Sequence, residues 1–135
     1  MTPLVLLLLL GAVELGRYAY FSILVGNAAR AGVAYGAQNV YTAAPTNDTA
    51  ITAAVCNDYN GQNTCSLSVS KNYLCQCDNG GTISSAINCD TGSCPSGQQK
   101  VVALQVTAQG TYQPLFRYTR INAITVSSTA TLRIE

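Results

Sequence analysis

The feature that most constrains this chain is an apolar run near the N-terminus, from Leu4 to Gly32, that carries two charges in its middle. No proline interrupts the sequence between Pro3 and Tyr41, which predicts one helix of about 40 residues, roughly 55–60 Å long. That length exceeds the roughly 30 Å hydrocarbon thickness of a bilayer. We therefore expect the first half of the helix to lie in a membrane and the second half to stand clear of it as the stem of a head.

The run is expected to be a retained membrane helix rather than a cleaved signal peptide. No basic residue precedes Pro3, and the apolar pattern resumes from Tyr18 to Val25, where a polar mature sequence would otherwise begin. An anchor of this kind implies export of the residues that follow it.

The two charges, Glu14 and Arg17, need an environment that accepts them. They are three residues apart and share one face of the predicted helix, so they can pair with each other or with copies of themselves on neighbouring helices. In the alternative interpretation, the Arg17 side chain extends to the membrane surface and an aromatic belt of Tyr18, Tyr20 and Phe21 ends the span there. The sequence leaves both interpretations open.

The second half of the predicted helix is slim, because glycine and alanine dominate the stretch from Gly26 to Ala37. Gly32 and Gly36 form a GxxxG pair, a spacing typical of helices whose backbones approach closely. An exposed glycine costs a helix about 1 kcal/mol relative to alanine. We therefore interpret this stretch as a helix-packing surface rather than a solvent-facing one.

The six cysteines are expected to form three disulfides. All of them lie between residues 56 and 94, in a segment rich in Asn, Gly, Ser and Asp that has few large apolar side chains to order it. A thiolate metal site is the alternative, although zinc sites favour CxxC pairs or histidines and the chain contains no histidine. Disulfides would place this segment in an oxidising compartment.

Six cysteines allow fifteen pairings, and the spacing favours one of them. Cys56 and Cys65 flank a short, turn-rich loop and are predicted to pair locally. Cys75 and Cys77 lie two apart on a predicted strand and point the same way, so each should pair with a later cysteine. We favour the nested bonds Cys75–Cys94 and Cys77–Cys89, with the crossed bonds Cys75–Cys89 and Cys77–Cys94 as the alternative.

Three stretches of alternating residues predict a small antiparallel sheet. Alternation is strictest from Ile124 to Ile134, and weaker over residues 100–112 and 66–77. The residues expected to face inward are Leu67, Val69, Tyr73, Cys75 and Cys77 on the first strand, Val102, Leu104, Val106 and Ala108 on the second, and Ile124, Val126, Ala130, Leu132 and Ile134 on the third. Their apolar face is expected to pack on the C-terminal half of the long helix.

The predicted fold class is α+β, a long N-terminal α-helix whose C-terminal half packs on a small antiparallel β-sheet head stapled by disulfides. We divide the chain into the helix, residues 1–44, and the disulfide-rich β head domain, residues 45–135. Pro45 is expected to end or kink the helix. Thr46 or Asn47 is expected to cap a short second helix from Asp48 to about Val55.

Charge and composition exclude several function classes. Charged residues make up 10% of the chain, the net charge is +1 and no basic cluster is present, so nucleic acid is not an expected partner. An enzyme is not expected either, because the chain has no histidine and its cysteines are assigned to disulfides. The aspartates at 48, 58, 78 and 90 are assigned to turns, with a calcium site at Asp78 or Asp90 as the alternative. We predict no catalytic residue, metal site or cofactor.

A long apolar helix packed on a small disulfide-bonded sheet is the plan of a pilin, and the N-terminal residues resemble a family with that plan. The motif residues are Gly11, Glu14, Gly16 and Arg17 after the leucine-rich run, followed by Asn27, Ala28, Ala29 and Arg30. Together they resemble the N-terminal segment of the TadE-like pseudopilin family, and the final STATLRIE resembles the way such chains end. Ala31 and Ala34 depart from the family pattern, in which an acidic residue and a second arginine are usual.

The resemblance implies a structural subunit of an extracellular pilus-like filament that assembles by packing of its N-terminal helices. Its expected partners are copies of itself, the inner membrane before assembly and the Tad-type secretion machinery, and its expected location is a filament on the cell surface. Two alternatives stay open, a membrane-anchored minor pseudopilin that primes or caps assembly and a membrane-anchored exported binding module. The residues expected at the assembly interface are Gly11, Glu14, Gly16, Arg17, Gly26, Arg30, Gly32 and Gly36.

Overall fold

The computed structural model describes residues 2–38, 48–84, 86–115 and 123–134. The chain forms two helices followed by three strands, and the predicted α+β class with a long N-terminal helix, a small antiparallel sheet and disulfides is confirmed. In chain order the elements are α1 (Thr2–Gln38), α2 (Asp48–Asn60), β1 (Ser68–Asp78), β2 (Gln99–Tyr112) and β3 (Ile124–Arg133).

Both predicted helices are present, and α2 extends further than predicted. α1 is one helix of 37 residues. The predicted end at Tyr41, the kink at Pro45, the caps at positions 46 and 47 and the division at residue 44 lie outside the described residues. α2 runs to Asn60 rather than to Val55. It ends there because Gly61 adopts a left-handed conformation, with φ of 73°, and donates its N–H to the Asn57 carbonyl at 2.8 Å.

The three strands form an antiparallel meander in the order β1–β2–β3. The predicted alternation on β2 is confirmed, because Val102, Leu104, Val106 and Ala108 are all buried. The opposite face is polar, and there the hydroxyls of Thr107 and Thr129 lie 2.9 Å apart across the β2–β3 pair. One face of the sheet is therefore apolar and needs a cover.

The second half of α1 covers the apolar face, and α2 packs mainly against α1 and adds Ile51 and Val55 to the core. Val25, Ala28 and Ala29 of α1 are fully buried against the sheet, and the two alanines keep the helix backbone close to it. The sequence predicted the α1 contact, whereas the share that α2 takes in the core was not predicted. The buried residues of this core are Val25, Ala28, Ala29, Val33, Ile51, Val55, Leu67, Leu104, Val106, Ala108, Tyr112 and Val126.

The six cysteines form three disulfides in the structure. Cys56 bonds to Cys65, as the sequence predicts. The favoured nested pairs, Cys75–Cys94 and Cys77–Cys89, are wrong, because the structure has the crossed alternative, Cys75–Cys89 and Cys77–Cys94.

The first reason for the crossed pairing is how the chain returns along the outer edge of β1. Ser84 donates its N–H to the Cys77 carbonyl at 2.9 Å, and Ile87 donates its N–H to the Cys75 carbonyl at 2.7 Å. By the time the chain reaches Cys89 it has already passed Cys77 and lies beside Cys75. A hairpin return of this kind joins Cys75 to the earlier of the two remaining cysteines.

The second reason is a further reversal of the chain, which the residue pattern does not predict. Gly92 donates its N–H to the Asn88 carbonyl at 2.9 Å, and the Asn88 side-chain oxygen accepts the N–H of Asp90 at 2.9 Å. This turn sends the chain back along its own path, so Cys94 returns to the level of Cys77. Two reversals rather than one therefore produce the crossed pattern.

Candidate assembly interface

The first half of α1 exposes a long leucine-rich surface. The side chains from Leu4 to Leu10 keep 44–69% of their surface exposed, and Leu15 keeps 69%. Among the described residues, α1 is the one helix with the length and apolar composition to cross a membrane. A monomer in water would leave this surface uncovered, which is unfavourable by roughly 25 cal/mol per Å² of apolar area.

Glu14 of α1 lies beside the end of the sheet at which β2 finishes, and residues of the head bind its side chain there. Its Oε1 accepts the Tyr112 hydroxyl at 2.5 Å and the Leu115 backbone N–H at 3.3 Å. The Nη1 atom of Arg17 lies 3.8 Å from Oε2 of Glu14. The Glu14 side chain is 23% exposed and that of Arg17 is 44% exposed. The carboxylate therefore has three partners within the subunit, and one of them is a cation that still faces outward.

Aromatic rings pack around Tyr112, which binds this carboxylate. The Tyr112 ring meets Tyr18 edge-on at 5.6 Å between centroids and lies 5.7 Å from the ring of Phe21. The Arg17 guanidinium lies 5.8 Å from the centroid of the Tyr112 ring, within the range of a cation–π contact. Phe21 has room because position 110 is a glycine, where a Cβ would come within 2.8 Å of its ring. These contacts fix the register between α1 and the end of β2.

The hydrogen bond to Glu14 changes the acidity of Tyr112. Donation to the carboxylate raises the pKa of the Tyr112 phenol above 10.0, burial and the negative charge of Glu14 raise it further, and Arg17 opposes the shift. Because the folded state prefers the protonated phenol, this contact stabilises the fold below the ordinary phenol pKa and is lost as the pH rises through the raised pKa.

We expect the contact between α1 and the end of β2 to weaken above about pH 10 in detergent-solubilised protein. Ionised Tyr112 would face the Glu14 carboxylate with a second negative charge. The measurement is thermal unfolding across pH 8–12 on the protein and on Tyr112→Phe, which cannot ionise at that position. The loss of stability at high pH should be smaller in Tyr112→Phe. Parallel curves for the two proteins would contradict the prediction.

The interface residues predicted from the sequence divide into two groups in the structure. Gly11 and Gly16 are exposed with no neighbouring atom within 4 Å of a Cβ, and Arg30 is exposed on the same helix. Gly26 is half-buried, and a Cβ there would lie 3.6 Å from the Ser128 hydroxyl. These four residues, with Glu14 and Arg17, remain candidates for contacts between subunits.

Gly32 and Gly36 require a correction, because they are buried inside the subunit. A Cβ on Gly32 would collide with Val55 of α2, and a Cβ on Gly36 would collide with Leu104 of β2. The GxxxG pair therefore brings α1 close to its own α2 and sheet, and is not available to a neighbouring helix. The expected close approach of backbones occurs, but within one chain.

The Asn-Ala-Ala-Arg motif is divided in the same way. Ala28 and Ala29 are fully buried on the side of α1 that packs against the rest of the head, whereas Asn27 and Arg30 are exposed. The alanines serve the packing of the head, and the two polar residues lie on the face of α1 that the head leaves open.

Two of the four aspartates assigned to turns, Asp78 at the end of β1 and Asp90, behave as turn residues, whereas Asp48 and Asp58 lie in α2 and the turn assignment is wrong for them. The Asp78 carboxylate accepts the Gly80 N–H at 2.8 Å and lies 3.6 Å from the Arg133 guanidinium. Asp90 donates its N–H to Asn88 within the turn described above. In the part of the chain that the structure describes, no group of three or more Asp, Glu, Cys or His side chains could share a metal ion.

Sequence reasoning missed Tyr112 and Leu115 as the partners of Glu14. Both lie about a hundred positions further along the chain, at separations of 98 and 101 residues. A signal for Tyr112 was present, since continuing the inward alternation of β2 past Ala108 leads to Gly110 and Tyr112. The Leu115 contact is made by a backbone N–H, so no side-chain pattern points to it.

Comparison with known proteins gives a match in α1. Residues 1–34, out of 135, match the family model described as TadE-like protein. The match includes the leucine-rich run, Glu14, Arg17 and the Asn-Ala-Ala-Arg motif, and it ends before the head. Neither the curated proteins nor the solved structures contain a match to the chain.

Proposed function

We propose that this protein is a structural subunit of an extracellular Tad-type pilus-like filament, with its N-terminal helices packed in the filament core and its disulfide-bonded heads on the surface. The TadE-like match at residues 1–34 suggests association with the Tad pilus system. Before assembly the subunit is held in the inner membrane by α1, and the head lies on the outer side, where disulfides form. The role is structural and not catalytic.

The observation that carries this proposal is the uncovered leucine surface of α1 beside a head that is complete without it. Leu4 to Leu10 contribute nothing to the core of the head, and no described element covers them. Such a surface needs lipid or other apolar helices around it. Lipid covers the surface while the subunit is in the membrane. After the subunit leaves the membrane, a filament core of identical helices covers it.

Glu14 and Arg17 give that core its polar contacts. Within one subunit Arg17 is 44% exposed, so its guanidinium is free to reach a carboxylate on an adjacent helix as well as its own Glu14. Charges inside packed apolar helices are tolerated when they are paired. The pairing in the assembled state, within one helix or between neighbours, remains a prediction.

Sheared surface material examined by electron microscopy tests the proposed function. The expected result is a filament whose map contains this chain as the repeating subunit. If the chain is present only at a filament end, or at trace level beside another major subunit, it primes or caps assembly instead. If it stays in the membrane fraction and no filament depends on it, the filament role is wrong and an anchored binding module is the better description.

The Arg17→Leu variant tests the charge pair. We expect filament yield to fall at least tenfold while membrane insertion is retained. The Glu14 carboxylate would keep its hydrogen bonds from Tyr112 and Leu115 but lose its cation, and removing one member of a buried ion pair costs about 3 kcal/mol or more. Filament yield is measured by quantifying sheared material, and insertion by membrane fractionation. Arg17→Lys is the matched control, since it keeps the cation, and it should retain more assembly than Arg17→Leu. Normal filaments from Arg17→Leu would show that the pair is not needed.

A further inference from the structure

We propose that the end of the sheet beside Glu14 lies in the lipid headgroup layer while the subunit is membrane-bound. This end, called the sheet tip below, consists of Tyr112, Pro114, Leu115 and Ile124. The inference rests on the membrane-bound stage of the proposed function and adds a second lipid contact besides α1. It concerns the head, which the family match does not cover.

The sheet tip exposes apolar side chains next to the apolar helix. Leu115 is 59% exposed and Ile124 is 36% exposed, and Ile124 is the register partner of Tyr112 across β2 and β3. A groove of about 900 Å³ runs between the tip and α1, with Leu7 and Leu10 on the helix side. The apolar surface of the tip is therefore continuous with the candidate membrane helix.

Hydrogen bonds hold the sheet tip at the same depth in the membrane as Glu14 of α1. Tyr112 and the Leu115 N–H both bind the Glu14 carboxylate, so the tip cannot move away from this level of α1 without breaking them. A lipid layer that reaches Glu14 on the helix also reaches Leu115 on the head.

The residues around Glu14 place this level at the membrane surface. Arg17 is one helical turn further along and exposes 44% of its side chain, while Tyr18 and Tyr20 are 36% and 65% exposed. Arginine and tyrosine side chains of this kind are typical of the headgroup layer, where the charge reaches phosphate and the ring stays in the apolar boundary. The aromatic-belt interpretation of Arg17 therefore applies to the membrane-bound stage and includes the head.

Lipid fits the tip better than a second protein copy does. Among the described residues of the tip, the exposed apolar side chains are those of Leu115 and Ile124, and the exposed polar residues Gln113 and Thr125 flank them, a mixture that suits the headgroup boundary. The exposed guanidinium of Arg17 complements lipid phosphate in the same layer. A helix from another copy is the competing occupant of the groove, and the experiment below separates the two.

The chain contains no tryptophan, so Leu115→Trp introduces a single fluorescent reporter at the tip. The variant is reconstituted into phosphatidylcholine–phosphatidylglycerol vesicles, with and without bromine at a shallow position of the acyl chains. We expect blue-shifted emission and at least about twofold quenching by the brominated lipid. Ile83→Trp is the matched control, because Ile83 is 60% exposed and lies beside Asp78 at the opposite end of the sheet. Its emission should be unquenched.

A second reporter, Ile124→Trp, tests whether the result depends on the substitution at Leu115 alone. Its emission should be quenched as strongly as that of Leu115→Trp. If both tip reporters are quenched no more than Ile83→Trp in vesicles that carry the protein, the inference is wrong. The inference is also wrong if the bromine does not quench the emission and the blue shift increases with the protein-to-lipid ratio. In that case a second copy of the protein covers the tip. Flotation of the same samples tests the membrane-bound stage of the proposed function separately from the position of the tip. Protein that does not float with the vesicles contradicts the membrane-bound stage, whereas protein that floats without quenching at the tip contradicts only this inference.

Discussion

Gly32→Leu should separate α1 from the rest of the head. A Cβ at position 32 already collides with Val55 and comes within 3.2 Å of Val106, and both valines are fully buried. Branched side chains are restricted at χ1 and cannot turn away. We expect the overpacking to lower the free energy of unfolding by about 3 kcal/mol, a large share of the stability of a small domain. Chemical unfolding of the solubilised protein with its disulfides intact measures the change.

Gly16→Leu is the matched control on the same helix. No atom lies within 4 Å of a Cβ at this position, so the substitution should leave the stability of the head unchanged or raise it through better helix propensity. The pair of variants separates packing within the subunit from packing between subunits. Equal stability of Gly32→Leu and Gly16→Leu would contradict the assignment of Gly32 to the core. Loss of filaments in Gly16→Leu with an intact head would support the assembly role of the outer face.

Replacing Cys75 and Cys89 together by serine should lower the free energy of unfolding by about 3 kcal/mol, since the bond joins two cysteines that are 14 positions apart. The single variant Cys75→Ser tests the pairing itself. In the structure it leaves the Cys89 thiol without a partner, whereas nested pairing would leave Cys94. Cleavage before Asp90 separates these two cysteines, so thiol labelling at low pH followed by digestion and mass spectrometry identifies the free one.

Cys77→Ser is the control for that experiment and should leave Cys94 labelled. Ordinary peptide mapping cannot make this distinction, because only Gln76 separates Cys75 from Cys77 and both remain in one peptide. A label on Cys94 in Cys75→Ser, or on Cys89 in Cys77→Ser, would restore the nested pattern and contradict the structure.

The alternation of apolar residues was enough to predict the three strands, but not the burial of every inward residue, since Ile124 and Leu132 of β3 stay 36% and 43% exposed. On β2, every second residue from Val102 to Ala108 is buried, as the pattern predicts. Strand patterns are informative because a shift of one residue would turn the whole apolar set to solvent. The long helix was predictable for a different reason, because no proline interrupts its glycine- and alanine-rich second half.

Chain reversals were harder to predict than strands. The turn at Asn88–Gly92 lies in a stretch where almost every residue favours turns, so the sequence indicates that reversals occur but not how many. The nested pairing assumed one reversal, and the structure contains two. The error in the cysteine pairs follows from that count and not from the choice of disulfides over metal.

The sequence by itself determined which surfaces of this protein are apolar, slim or charged: the leucine-rich half of α1, the glycine pair, the inward face of the sheet and the Glu14–Arg17 pair. Only the tertiary structure decided what each surface meets. Gly32 and Gly36 meet α2 and β2 of their own chain, and Glu14 meets Tyr112 at a separation of 98 residues. The physical reason is that side-chain spacing along a helix or strand sets the character of a face locally, whereas the partner of that face depends on contacts between distant segments.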